Sequence, residues 1–285
     1  MSKLGQIYRA TSNKYFVKIE DEIIKCSARG ILKLNNEELL VGDYVQVEKD
    51  TIISVKERIS RFIRPNVSNV QSIVAVVSPM PKPDFYLLDK LYINAVKEGV
   101  DFYIVLNKTD IKSEVYKEIV STYSCLDVKI LQVCAKTGQG INQLKQILKN
   151  KLSVLAGQSA VGKSSIINAM FDMQLKVGDL SEKIERGRHT TTRSEIFEVE
   201  NIKIIDSPGF AVIDANVDAK EIPSFYPEYL SVAGECKFRG CAHINEPECK
   251  VKELVKNGVL SKERYERYRE IYNELQNRRI NYEKN

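Results

Sequence analysis

Residues Leu152-Ser153-Val154-Leu155-Ala156-Gly157-Gln158-Ser159-Ala160-Val161-Gly162-Lys163-Ser164-Ser165 decide the fold of this chain. A short, mostly apolar run passes directly into a loop bounded by two glycines and followed by a lysine and two hydroxyls. In such a loop the glycines let backbone N–H groups wrap phosphates, and the helix that follows aims its positive end at them. Gly157, Gln158, Ser159, Ala160, Val161 and Gly162 supply the wrap. Lys163 places a cation on the β- and γ-phosphates, and Ser164 is a Mg²⁺ ligand.

Working outward, Ile202-Lys203-Ile204-Ile205 delivers Asp206-Ser207-Pro208-Gly209 to the end of a second strand. There Asp206 supports Mg²⁺, and Gly209 can bring an N–H to the γ-phosphate. Upstream, Phe102-Tyr103-Ile104-Val105-Leu106 ends at Asn107-Lys108-Thr109-Asp110. A carboxylate at Asp110 accepts two hydrogen bonds from the guanine edge, where adenine presents a different pattern. Cys134-Ala135-Lys136 follows a further strand, Val128 to Val133, and offers the Ala135 N–H to the guanine oxygen. Together these elements point to GTP rather than ATP, and a P-loop kinase or ATPase is disfavoured by Asp110. Their order is permuted, because the guanine element precedes the phosphate loop. Loops on one edge of a parallel sheet survive such rejoining, since the edge is unchanged.

Ser72-Ile73-Val74-Ala75-Val76-Val77 is a continuous apolar run, as expected of a strand buried on both faces. Leu88, Leu91, Tyr92, Ala95 and Val96 recur at helical spacing, and a second helix is expected near 139–150. Strands alternating with helices predict a parallel α/β domain over 67–214. Residues 172–192 read as a mobile polar loop, and two strands follow near 194–200 and 202–205. Before this domain, residues 1–66 read as a small β-barrel. Its runs are Tyr15–Ile19, Glu22–Cys26, Tyr44–Val47 and Ile52–Val55, with turns at Asn35-Asn36 and Gly42-Asp43. An OB-like barrel fits, an SH3-like one stays open, and Arg64-Pro65-Asn66 reads as a linker. Residues 215–285 form a third unit ending in a helix. Its stripe of Tyr265, Tyr268, Ile271, Tyr272 and Leu275 is expected to pack on its own domain.

The chain has 285 residues, net charge +5 and six cysteines. No apolar run reaches the length of a membrane span, and Met1-Ser2-Lys3-Leu4 lacks a signal-like core, so a cytoplasmic protein without membrane contact is expected. Its cysteines should be reduced. Cys26, Cys125 and Cys134 read as small core residues. Cys236, Cys241, His243 and Cys249 lie within fourteen residues and form a Cys₃His set, the usual makeup of a closed structural zinc site.

These motifs, with a barrel before and a Cys-x4-Cys-x-His-x5-Cys cluster after, resemble the RsgA (YjeQ) family of circularly permuted GTPases over essentially the whole chain. The resemblance implies an OB-fold domain, a permuted G domain and a mainly helical zinc domain. It also implies binding to the small ribosomal subunit and its rRNA during late maturation, ribosome-stimulated hydrolysis of GTP to GDP, and release on hydrolysis. A monomer is expected. Asn107, Lys108 and Asp110 would bind guanine and residues 157–165 the phosphates. Gly187-Arg188-His189-Thr190-Thr191-Thr192 would be the first switch, with Thr191 or Thr192 near Mg²⁺. Ras-like enzymes orient water with a glutamine after the DxxG element; that position here is Phe210, and His189 matches the family's alternative. An alternative reading is a GTP-regulated RNA-binding module whose hydrolysis is incidental.

Overall fold

The computed structural model describes residues 2–11, 14–29, 38–171, 194–206 and 217–283. The N-terminal strands are β1 (Lys3–Ala10), β2 (Tyr15–Ile19), β3 (Glu22–Ala28), β4 (Tyr44–Glu48) and β5 (Thr51–Val55). They run in the order β1-β2-β3-β5-β4, and β4 pairs back onto β1, so the sheet closes into a five-stranded barrel. Closure by β1–β4, with β3 parallel to β5, is the OB-like arrangement and not the SH3-like one. A buried carboxylate fixes the barrel's base. Asp43 accepts from Arg58 Nε at 2.7 Å, from Ser68 Oγ at 2.6 Å and from the Leu40 N–H at 2.8 Å. Arg64-Pro65 turns a short hairpin between β6 (Arg61–Ile63) and β7 (Asn66–Ser68).

The central domain is built on β8 (Ser72–Val77), β9 (Asp101–Leu106), β10 (Lys129–Gln132), β11 (Leu152–Ala156), β12 (Glu195–Val199) and β13 (Ile202–Asp206). The order is β10-β9-β8-β11-β13-β12, parallel except for β12. Every residue of β8 is buried, and its alternation serves two layers. Ile73, Ala75 and Val77 pack under α1 (Phe85–Lys97) and α2 (Val115–Tyr123), while Val74 and Val76 pack under α3 (Ile141–Leu148) and α4 (Lys163–Phe171). This double coverage is why the run is uniformly apolar. β12 also pairs antiparallel with β1, so barrel and central sheet are one continuous ladder.

The C-terminal module carries a 3-10 turn (Ala219–Phe225), α5 (Pro227–Leu230), α6 (Lys250–Lys256) and α7 (Lys262–Glu283). Tyr265, Tyr268 and Ile271 of α7 bury against Tyr226 and Tyr229, as the stripe predicts, and Ile93 of α1 joins that cluster. The joint with the central domain is also ionic. Asp89 of α1 is 1% exposed and holds Arg264 Nη1 at 2.6 Å, Arg267 Nε at 2.5 Å and the Tyr123 hydroxyl at 2.9 Å. Burial opposes the Arg264 charge, but the Asp89 and Glu228 carboxylates outweigh it and push the guanidinium pKa up. Removing Asp89 leaves two guanidiniums at this joint with Glu228, on Arg264, as their remaining ion-pair carboxylate among the described residues. Asp89→Ala is therefore expected to destabilise the docked module by about 3–5 kcal/mol, read as a lowered denaturation midpoint.

Among the remaining cysteines, Cys26 and Cys134 are buried, whereas Cys125 is exposed, contrary to the core position expected of it. It follows Ser124, the exposed residue that caps the C-terminal end of α2.

Candidate nucleotide site and metal cluster

Four parallel strands end on one edge of the sheet, and each hands its loop to the site. β11 runs into the phosphate loop, β9 into Asn107–Asp110, β10 into Cys134–Lys136 and β13 into Asp206. Gly157 takes φ +139°, and a Cβ there would lie 2.2 Å from the Val76 carbonyl oxygen. Gly162 takes φ +95°, and a Cβ there would lie 2.3 Å from Asn107 Nδ2. Both glycines are thus required by close approach as well as by conformation. α4 begins at Lys163, and the Lys163 ammonium donates to the Gly157 and Gln158 carbonyls, each at 2.7 Å. Its cation stands inside the loop, within reach of an anion seated there.

Asn107 is 2% exposed and works as a bracket. Its Nδ2 donates to the Val161 carbonyl at 3.0 Å, and its Oδ1 accepts from the Ala135 N–H at 3.1 Å. One side chain therefore ties its own loop to two others, 54 and 28 positions away in the chain. Lys108, at φ +60°, donates to the Ala160 carbonyl at 2.7 Å and to the Met80 carbonyl at 2.7 Å. Thr109 Oγ1 donates to the Val133 carbonyl at 3.1 Å. Asp110 is exposed at the mouth, with the Cys134 thiol donating to its Oδ1 at 3.5 Å. Lys136 is exposed and Ser164 and Ser165 are half-buried on the first turn of α4. The geometry presents amide donors and a cation at one end and a carboxylate at the other, about what a nucleotide's phosphates and base require.

Asp84, which sequence reading does not single out, also takes part. The Gln158 side chain accepts from the Asp84 N–H at 3.1 Å, and Asp84 in turn caps α1 by accepting from the Leu87 N–H at 3.0 Å. Pro81 and Pro83 beside this cap were the signal available in the sequence. His189, Thr191, Thr192 and Gly209 lie outside the described residues, as does the polar loop 172–192. Asp206 ends β13, and its side chain lies outside them too.

The second cluster brings Cys236, Cys241, His243 and Cys249 together, with all four ligand atoms within 4.8 Å of one another. His243 Nδ1 lies 3.3 Å from Cys249 Sγ and 3.7 Å from Cys236 Sγ. Spacings of this size suit sulfur and nitrogen atoms sharing one ion at bond lengths of about 2.0–2.3 Å. Burial pushes the Cys241 and Cys249 thiols up and His243 down, and a bound cation would favour the thiolate form of the sulfurs. The backbone is fixed from behind: the Tyr265 hydroxyl donates to the His243 carbonyl at 2.6 Å and the Tyr268 hydroxyl to that of Ala242. Glu246 accepts the Ala242 and Ile244 N–H groups at 2.8 and 2.9 Å. The chemistry of the donor set and its spacing therefore fit a four-coordinate metal ion.

Comparison with known proteins agrees with this geometry. Residues 55–216 match the family model described as RsgA GTPase, and residues 4–52 match the RsgA N-terminal domain. Proteins named small ribosomal subunit biogenesis GTPase RsgA are similar over nearly their full length. That of Thermotoga maritima is 36% identical over 294 residues, covering 98% of this chain and 99% of the relative. That of Agathobacter rectalis is 36% identical over 297 residues, covering 96% and 98%. Among solved structures, YjeQ from Thermotoga maritima superposes with a TM-score of 0.80 at 33% identity, covering 97% of this chain and 99% of that one. YloQ, described as a circularly permuted GTPase, gives 0.75 at 30%, covering 98% and 96%.

Proposed function

The chain belongs to the RsgA GTPase family, and from that premise we propose that it binds the small ribosomal subunit and assists its late maturation, hydrolysing GTP to GDP and phosphate there and leaving on hydrolysis. The observation that carries this reading is the Asn107 bracket, which joins the guanine element, the Cys134-Ala135-Lys136 loop and the phosphate loop into one site. Asn107, Lys108, Thr109, Asp110, Ala135 and Lys136 serve the base. Gly157 to Ser165 serve the phosphates, and Gly209 serves the γ-phosphate. Ser164, Thr191 or Thr192, and Asp206 hold Mg²⁺, which screens the developing charge when bound. The Cys₃His cluster takes Zn²⁺ as a structural ion without an open position.

We assign the barrel to 1–66, the G domain to 67–214 and the zinc domain to 215–285, acting as a cytoplasmic monomer away from membranes. No helix among the described residues is long and apolar enough to cross a membrane. The second switch at Gly209 leads directly into the zinc domain, which is clasped to α1 through Asp89 and Arg264. Loss of the γ-phosphate then reorients that domain and weakens its hold on RNA. Identical zinc-domain distances in GTP-analogue and GDP states, free and ribosome-bound, would refute this step.

Because Phe210 cannot orient water, the role falls to His189 in the first switch. His189→Ala is expected to bind GTP normally while losing most subunit-stimulated turnover, on the order of 100-fold, the penalty of a misplaced attacking group. Unchanged stimulated turnover would remove His189 from the mechanism. The function itself is tested by GTPase assays with each purified ribosomal subunit.

A further inference from the structure

Between the first two ligands of the metal cluster the chain reads Cys236-Lys237-Phe238-Arg239-Gly240-Cys241. Lys237, Phe238, Arg239 and Gly240 are all exposed, with Phe238 at 44%. Single exposed apolar residues are ordinary on protein surfaces, but this one differs in its setting. Both ends of the loop are ligand residues, and its Lys237 N–H donates to the Glu248 carbonyl at 3.3 Å, so the ring is displayed on a short, tethered loop. Cations flank it on both sides, and the Lys237 ammonium lies 5.9 Å from the ring centre. An open groove of about 740 Å³ adjoins the loop, lined in part by Lys237, Lys250, Lys252 and Lys256. Glu235 and Glu253 pair with Lys250 there and Glu248 with Lys237, whereas Arg239 and Lys256 have no ion-pair partner among the described residues.

A tethered aromatic face between cations is the arrangement that stacks an unpaired nucleobase while its backbone is held electrostatically. We infer that Phe238 is a stacking platform for an unpaired base of the small-subunit rRNA, with Arg239 and Lys256 contacting its phosphates. This inference rests on the subunit binding proposed above and names where that RNA is gripped. The three glutamates of this groove are already paired with Lys237 and Lys250, so its surplus charge is positive and favours a polyanion such as RNA over a protein partner.

The chain contains no tryptophan, so Phe238→Trp places a single indole at the site. Its fluorescence is expected to be quenched by the purified small subunit and by protein-free small-subunit rRNA. An unresponsive indole, or one that responds to the intact subunit but not to bare rRNA, overturns the inference. Phe238→Leu and Phe238→Ala are expected to bind the subunit about 5- to 150-fold more weakly, the range for losing one stacked base, and Phe238→Tyr to bind as the parent does. Basal GTPase and metal content should be unchanged in all four. Arg239→Gln should instead flatten the salt dependence of binding. Parent and Phe238→Leu binding equally overturns the stacking role; a parent that binds no subunit overturns the function on which it rests.

Discussion

Gly157→Ala is expected to abolish useful GTP binding while leaving the rest of the fold intact. A side chain at φ +139° is strained in any surroundings, at a cost of about 1–3 kcal/mol. Here the added methyl also meets a main-chain oxygen, that of Val76, at 2.2 Å. Val76 sits in the middle of the sheet, fully buried and paired with Val105 of β9, so it cannot retreat. The loop must move instead, and with it the Gly157 and Gln158 carbonyls that hold the Lys163 ammonium. Strain and displacement together predict a loss on the order of 100-fold or more in GTP affinity, by titration of a fluorescent analogue. Circular dichroism and metal content serve as controls. Parent-like affinity would show that the loop is not held against β8 as described.

Metal removal is the second large effect. The segment carrying the cluster has little apolar material of its own, and Cys241, Cys249 and His243 make up part of what it buries. Structural zinc contributes about 10–16 kcal/mol in isolated zinc-finger peptides at neutral pH, more than such a segment can replace by packing. Chelation under reducing conditions is expected to expose the stretch from Ala233 to Val259 to proteolysis and to lower the melting temperature. GTP binding should persist, because the nucleotide site draws on none of these residues. An unchanged digestion pattern after complete metal loss would mean that the tyrosine cluster on α7 holds the module unaided.

What sequence reveals here follows from how local each feature is. Strands β8 and β11 were legible because burial on both faces leaves an uninterrupted apolar run. The site loops were legible because each follows its strand immediately. β1 was not: Lys3-Leu4-Gly5-Gln6 mixes polar and apolar residues without alternation. Its continuous burial from Gly5 to Tyr8 comes from pairing with β2, β4 and β12 rather than from its own composition. The β6–β7 hairpin, with three residues a side, is too short to show a period, so its turn at Arg64-Pro65 looked like a linker. The Asn107 bracket and the Asp89 clasp escaped for another reason. Each unites residues far apart in sequence, 175 positions in the case of Asp89 and Arg264, and no local pattern encodes such a meeting.

The permuted order of the motifs costs the site nothing, because the sheet edge is the same whichever strand comes first. It does decide what the site is wired to. In chain order the strands that lead into Asn107–Asp110 and Cys134–Lys136 follow the barrel, β12 pairs with it directly, and β13 is the last strand before the C-terminal module.

The most direct test of this account is steady-state GTP hydrolysis measured alone, with purified small subunits and with purified large subunits. Stimulation by the small subunit of roughly tenfold or more, equivalent to about 1.4 kcal/mol off the barrier, with none from the large subunit, is the predicted result. Equal rates under all three conditions, or equal stimulation by both subunits, would contradict it.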